Sequence, residues 1–245
     1  MRVLNSGFIL LLRWQFLGIK PLIPLYVIAQ VLLAVGIIMG FPFLIPNITD
    51  EVTIYLTTGA PTIILLSVGL VILPQGVAET KSNGTLDFML SWPLPRLYYV
   101  LAESIIWLLM TLPGVFIALF IASIRFDITL SITYTTFPVL ILTGLTAIGI
   151  GYAFTLWLKP LVAELLSQIL IFAILLFSPI NFPPERLPSW LATVHEFLPI
   201  QYMADLVRAS LAPDYFDQNW YVFLVLGTWF ILSFTLCYLA ITKRD

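Results

Sequence analysis

The 245 residues include a single histidine, His195, and a single cysteine, Cys237. A metal site built from several imidazoles within one chain is therefore excluded, and His195 reads as a plain interfacial residue rather than a ligand or base. The chain has no Gly-x-Ser-x-Gly nucleophile turn, no His-Glu-x-x-His zinc pair and no Gly-rich phosphate loop with its second Gly followed by Lys and Ser or Thr. It cannot hydrolyse ATP by itself. What remains is electrostatic and conformational chemistry. Its candidates are Glu79, Asp87 and Arg96 in one polar segment, Glu103 and Glu164 near the ends of apolar runs, and Asp205 with Arg208 at i, i+3. An ionisable side chain inside an apolar run is a functional hypothesis by default. The simpler alternative for Glu103 and Glu164 is a structural or headgroup-level ion pair. Glu103 follows Arg96 by about two helical turns and is expected to face Arg96 or Arg13, while Glu164 follows Lys159 closely. For Asp205 and Arg208 the simplest reading is a local pair worth a few tenths of a kcal/mol.

The remainder of the chain holds these groups in an apolar medium. It is 60% hydrophobic and only 10% charged, where a soluble domain carries about 25% charged residues. Apolar runs of roughly 20 residues match the hydrocarbon core of a bilayer. Six spans are expected, at 22–41, 54–75, 97–122, 133–157, 161–178 and 219–241, giving an all-α membrane protein with a single integral membrane domain over 1–245. Ahead of the first span, Phe8, Leu11, Leu12 and Gln15 alternate with Arg2, Arg13 and Lys20. That pattern predicts an interfacial helix over 1–20 with Trp14 at headgroup level. In the fourth span Ala147/Gly151 and Gly149/Ala153 are small residues four apart, which lets a neighbouring backbone approach. Ordinary packing explains them, and a face that slides during transport is the sharper alternative. Cys237 lies in an apolar run, so no disulfide framework exists. The net charge of −2 argues against a nucleic-acid partner.

The basic residues set the orientation. With the N-terminus inside, Arg2, Arg13, Lys20, Lys81, Arg96, Lys159, Lys243 and Arg244 are cytoplasmic, and only Arg125, Arg186 and Arg208 are outside. The positive-inside rule prefers this arrangement, with both termini in the cytoplasm. Asn47-Ile48-Thr49 and Asn83-Gly84-Thr85 match glycosylation sequons, a short motif that arises by chance.

Two polar segments interrupt the apolar pattern. In 77–96, Gly84 ends one helix and Asn83 or Thr85 can cap the next. Leu86, Met89 and Leu90 then share an apolar face, with Phe88 and Trp92 at i, i+4, and Pro93 and Pro95 end it. The product is a short amphipathic helix, either a simple interfacial anchor or a docking element for a cytoplasmic partner. In 179–213, Pro179, Pro183, Pro184, Pro188 and Pro199 break the backbone, which at membrane depth is tolerated only against protein or a water-filled cavity. A short helical hairpin dipping into the outer side of the bundle is expected, with Trp190 and Tyr202 as interface anchors.

Glu79, then Gly84-Thr85-Leu86, then Pro93-Leu94-Pro95-Arg96, resembles the cytoplasmic coupling helix of type-2 ABC exporter permeases. Pro179-Ile180, Phe182-Pro183, Leu187-Pro188-x-Trp190-Leu191, Pro199, Tyr202 and Arg208 resemble the outer re-entrant segment of the same family. The resemblance covers nearly the whole chain. It implies coupling to an ATPase through Glu79, Gly84, Thr85, Leu86, Asp87, Met89, Leu90 and Arg96. It also implies an outer segment marked by Pro183, Pro188, Trp190, Pro199, Tyr202 and Arg208. The implied assembly is two permeases, identical or paralogous, over two ATPase subunits in a bacterial inner membrane. ATP and magnesium are expected on the ATPases and no cofactor on this chain. Drugs, lipids and glycans are the substrates the family implies. A self-sufficient secondary transporter or channel is the alternative; it favours midplane charges and internal repeats, and neither is present. A membrane anchor without transport is a third class.

Overall fold

The computed structural model describes residues 2–45, 49–128 and 130–243. Asn47 and Ile48 of one sequon, and Arg244 of the orientation count, lie outside them. Among the described residues there are helices and no strand: α1 (Arg2–Ile19), α2 (Ile23–Val35), α3 (Phe41–Leu44), α4 (Asp50–Ser67), α5 (Leu73–Ser82), α6 (Thr85–Leu90), α7 (Arg96–Phe126), α8 (Thr136–Trp157), α9 (Pro160–Phe177), α10 (Ser189–Phe197), α11 (Pro199–Leu211) and α12 (Trp220–Thr242). Six stretches are long and apolar enough to cross a membrane: Gly7–Phe43, Asp50–Ser82, Arg96–Phe126, Thr136–Trp157, Pro160–Phe177 and Trp220–Thr242. These are the six expected spans with shifted ends. The largest shift is in the first, which starts at Gly7 because α1 runs on into α2 through one 3-10 turn, Lys20–Leu22. The second runs helical to Ser82, so Glu79 and Lys81 sit on its last turns rather than in a loop. Gly76 alone costs a helix only about 1 kcal/mol, and the break waits for Gly84, the one glycine among the described residues with positive φ (79°).

The second span is the axis of the bundle. Thr49 caps it, its hydroxyl accepting from the Val52 N–H at 3.3 Å, and Asp50 and Glu51 in the first turn suit the positive end of the helix dipole. Nearly all of α4 is buried, between α7, α8 and α11. Its hydroxyls are absorbed locally: Thr58 and Thr62 donate to the carbonyls of Ile54 and Thr58. Between α4 and α5 the helix widens into one π turn, Val68–Ile72. Pro74 follows at once; a proline supplies no N–H to the turn before it, and a π turn is a recurrent way to accommodate that lapse.

Small residues then set how closely the spans approach. A Cβ at Gly69 would overlap Ala147, and one at Gly151 would fall on the Gly69 carbonyl oxygen, so the second and fourth spans touch backbone to backbone. Gly149, on another side of α8, faces Ser233 and Phe234 of α12. The small residues of the fourth span are therefore packing contacts to two different neighbours. Elsewhere α2 is held on α7 by Gln30, whose Nε2 donates to the Met110 carbonyl at 3.2 Å. In contrast, α9 and α12 are mostly exposed, showing Ile169, Phe172 and Leu176, and Ile231 and Tyr238. In a bilayer such faces meet lipid or another chain.

Candidate functional site

Four local arrangements gather the functional candidates. The first surrounds α6. Asn83 Oδ1 accepts from the Thr85 N–H at 3.0 Å, the turn reverses at Gly84, and α6 begins. Leu86 is fully buried in a cluster with Val77, Tyr99, Val100 and Tyr152, while Met89, Leu90 and Trp92 pack partly against it. On the opposite face Asp87 and Phe88 are exposed. Phe88 and Trp92 meet edge to face at 5.9 Å, and Trp92 meets Trp14 of α1 in the same way. Both flanks of α6 are tied to other spans. Lys81 Nζ donates to the carbonyls of Thr155, Leu156 and Leu158 at 2.6, 3.1 and 2.6 Å, closing the C-terminal end of α8. Arg96 Nη1 donates to the Ile241 carbonyl at 3.0 Å, at the end of α12. The last carbonyls of a helix lack intrahelical donors and carry partial negative charge. A cation there both satisfies them and joins two spans.

The second arrangement lies between α2, α5 and α9. A cavity of about 600 Å³ is lined by Tyr26, Gln75, Glu79, Glu164 and Gln168 with a few apolar neighbours. Glu164 thus shares a space with Glu79. The third is Glu103, buried in α7. It accepts a hydrogen bond from the Tyr152 hydroxyl, and the Tyr99 ring meets the Tyr152 ring edge to face at 6.5 Å. Arg13, one of its two expected partners, is exposed. Two phenols, rather than the expected ion pair, define the surroundings of Glu103.

The fourth arrangement is outer in the expected orientation. Pro199 starts α11 directly after Leu198, whose extended backbone (φ −89°, ψ 142°) turns the chain between α10 and α11. Ile200, Met203, Ala204 and Val207 form the buried stripe of α11 at helical spacing. Arg208 lies on the same side and is 2% exposed. Its guanidinium donates to Asp205 Oδ1 at 2.6 Å and to the Ile180 carbonyl at 2.9 Å, with the Pro179 carbonyl at 3.4 Å. It also lies 4.1 Å from the centre of the Tyr55 ring. The expected local pair is therefore part of a buried hub joining α4, α11 and the 179–180 turn. Burial lowers the Arg208 pKa and raises that of Asp205, and each charge opposes the shift of the other. The turn also sits hard against α4, since a Cβ at Gly59 would strike Asn181 and the Ile180 carbonyl. Tyr202 donates to the Glu196 carbonyl at 2.7 Å. Pro183 is buried, while Pro188 and Trp190 are exposed. His195 is not the interfacial residue expected: it is buried, with Nε2 2.9 Å from the Phe177 carbonyl at the end of α9. Desolvation lowers its pKa.

Residues 8–212 match the ABC-2 type transporter family. The chain belongs to that family. The match takes in α1 to α11 apart from the first turns of α1, and leaves α12 beyond its end. A comparison with curated proteins finds no significant match. The chain is thus an ABC transporter permease, a multi-pass membrane protein of a family that works with ABC ATPase subunits.

Within this ABC-2 permease, sequence reasoning missed the caps made by Lys81 and Arg96, the phenols around Glu103, and the burial of Arg208 and His195. Only Arg208 left a legible trace: it falls four residues after Ala204 on the apolar stripe of α11. Lys81 and Arg96 read as topology signals, and nothing local announces a carbonyl 74 to 145 residues away in sequence. Tyr152 lies within the small-residue run of α8, where its pairing with α7 leaves no periodic signal.

Proposed function

We propose that the chain is the transmembrane subunit of an ATP-driven exporter, with α6 as the element on which a cytoplasmic ATPase docks. The observation that carries this is the mounting of α6. Its outer face offers Asp87 and Phe88, its inner face is wedged in place by Leu86, and its flanks are tied to α8 and α12 through Lys81 and Arg96. A partner pushing on a helix held in this way moves four spans at once. ATP and magnesium reside on the partner, and this chain binds neither. An ATPase can drive the spans only by binding one of their arrangements better than the other.

Two chains, identical or paralogous, form the pathway over two ATPases. In support, the α2–α5–α9 cavity is flanked by exposed apolar ridges, Leu25, Ile28 and Leu32 on α2 and Leu165, Ile169 and Phe172 on α9. A second copy covering these ridges would enclose the cavity, and two-fold pairing is the commonest closed symmetry. The mixed lining of carboxylates, carboxamides and a phenol suits an amphiphilic drug, lipid or glycan-like substrate. The chain sits in a bacterial cytoplasmic membrane with both termini inside. There 1–20 lies at the interface and 179–213 dips into the outer side as a gate.

The test is ATPase activity of the permease co-expressed with an ATPase encoded beside it, comparing wild type with Glu79→Ala/Leu86→Asp. Stimulated hydrolysis that the double variant loses while remaining folded supports the reading. If no ATPase associates, or the variant couples normally, the docking assignment fails and a self-sufficient transporter takes its place.

A further inference from the structure

α8 and α12, the fourth and sixth spans, run in the same direction and end at the same membrane edge. Between them lies a groove of about 450 Å³, walled by Ile150, Ala153 and Trp157 of α8 and by Trp229, Leu232 and Leu236 of α12, with almost no polar atom exposed in it. Its volume is in the range of small-molecule sites, about 300–1,000 Å³. Leu232 is 46% exposed and α12 is among the most exposed of the spans, so the groove opens toward the bilayer rather than into the bundle. Its mouth is different in character. Trp157 Nε1–H donates to the Leu236 carbonyl at 3.1 Å, which fixes the indole across the end of the groove. Lys243 Nζ lies 4.9 Å from the centre of that ring. Lys159, also exposed, follows Trp157 by two residues on the same edge.

A dry groove facing hydrocarbon takes an acyl chain, and cations beside its mouth choose the headgroup. Basic residues at the ends of membrane helices attract anionic lipid over short range, and an indole at headgroup depth is the usual companion of such a site. We propose that the α8–α12 groove holds one acyl chain of an anionic phospholipid whose phosphate meets Lys243 and Lys159. The helices need only span the bilayer for this to hold; which side the termini face does not enter. The site also lies where transport would feel it, because Lys81 closes the end of α8 and Arg96 the end of α12. A lipid bridging the two helices adds a third tie.

Native mass spectrometry of the full chain in detergent, with palmitoyl-oleoyl phosphatidylglycerol or the matching phosphatidylcholine, tests the proposal. Wild type should retain one phosphatidylglycerol with about a ten- to thirty-fold preference, the worth of two cations against an anionic headgroup. Lys159→Gln/Lys243→Gln, which touches no core packing, should bring the two lipids within about twofold of each other. Leu232→Trp, which adds bulk on the exposed wall, should abolish retention of both without changing the thermal midpoint. Three results overturn the proposal: retention of neither lipid by wild type, equal retention of both, or a preference untouched by the double lysine variant. Retention of a second chain that Leu232→Trp abolishes, with no lipid bound, assigns the groove to protein and overturns it as well.

Discussion

Removing the charge of Arg208 tests whether the 179–213 segment is pinned to the bundle by one side chain. In Arg208→Met the hydrophobic stem is kept and the guanidinium is lost. Breaking a buried ion pair from one side costs about 3–5 kcal/mol. The Asp205 side chain is 39% exposed, so water takes up part of its charge, and about 1–2 kcal/mol is the fitting share. The Ile180 carbonyl loses its 2.9 Å donor, worth about 1 kcal/mol. The cation over Tyr55 at 4.1 Å adds about 1 kcal/mol. The expected loss is about 3–4 kcal/mol, which lowers the thermal midpoint of a chain this long by roughly 10 °C. Arg208→Lys should fall in between, because a single ammonium cannot reach both Asp205 and the 179–180 carbonyls as the two arms of the guanidinium do. Asp205→Asn should cost less than half as much, since it leaves the carbonyl and ring contacts in place. The assay is thermal unfolding of the detergent-solubilised chain, followed by near-ultraviolet circular dichroism. A midpoint shift below about 2 °C for Arg208→Met, or an equal loss for Asp205→Asn, refutes the idea of a hub.

Four further outcomes follow from the geometry. Glu103→Gln keeps an acceptor for Tyr152 and should change stability by less than about 1 kcal/mol, whereas Glu103→Leu strands the buried Tyr152 hydroxyl and should cost about 1–3 kcal/mol in denaturant titration. Gly151→Leu places a side chain on the Gly69 carbonyl and should fail to yield folded protein on size-exclusion chromatography, while Gly227→Ala, with open space around it, should behave as wild type. Burial lowers the pKa of His195. Its folded pKa lies below the ordinary value of about 6.5, so the unfolded chain takes up the proton first and stability should fall as pH drops below about 6.5; Asp205, raised by burial, acts in the opposite sense, and the difference between wild type and His195→Gln across pH 7.5–5.5 isolates the histidine. In an ATPase complex, Lys81→Met/Arg96→Met should leave nucleotide binding intact while lowering substrate-stimulated turnover about tenfold, read as ATPase rate with and without substrate.

The six spans were legible because bilayer crossing leaves a long, uniform signal, and α6 because Gly84 and Pro93 bracket an apolar face. The ends of the second span were not, since Glu79, Thr80, Lys81 and Ser82 read as loop by polarity although nothing in them breaks a helix. The 179–213 segment was legible as proline-broken backbone, but its attachment was not: the partners of Arg208 include main-chain carbonyls at 179 and 180, which carry no residue identity. The same holds for Lys81 and Arg96. Contacts from side chain to distant backbone fix much of this site, and a linear pattern records only one of the two partners.

The π turn at Val68–Ile72 has a bearing on length variation in this protein. Each residue of an α-helix turns the chain by about 100°. The extra residue held in that turn therefore sets the rotational phase of everything from Leu73 to Ser82 relative to α4. Deleting one residue there would relieve the wide turn and still leave a continuous helix of similar hydropathy. It would also swing Val77 and Ala78 off the core and carry Lys81 away from the end of α8. Within this span, single-residue deletions and insertions act as rotations of a shaft, and their damage should appear at α6, more than ten residues beyond the change.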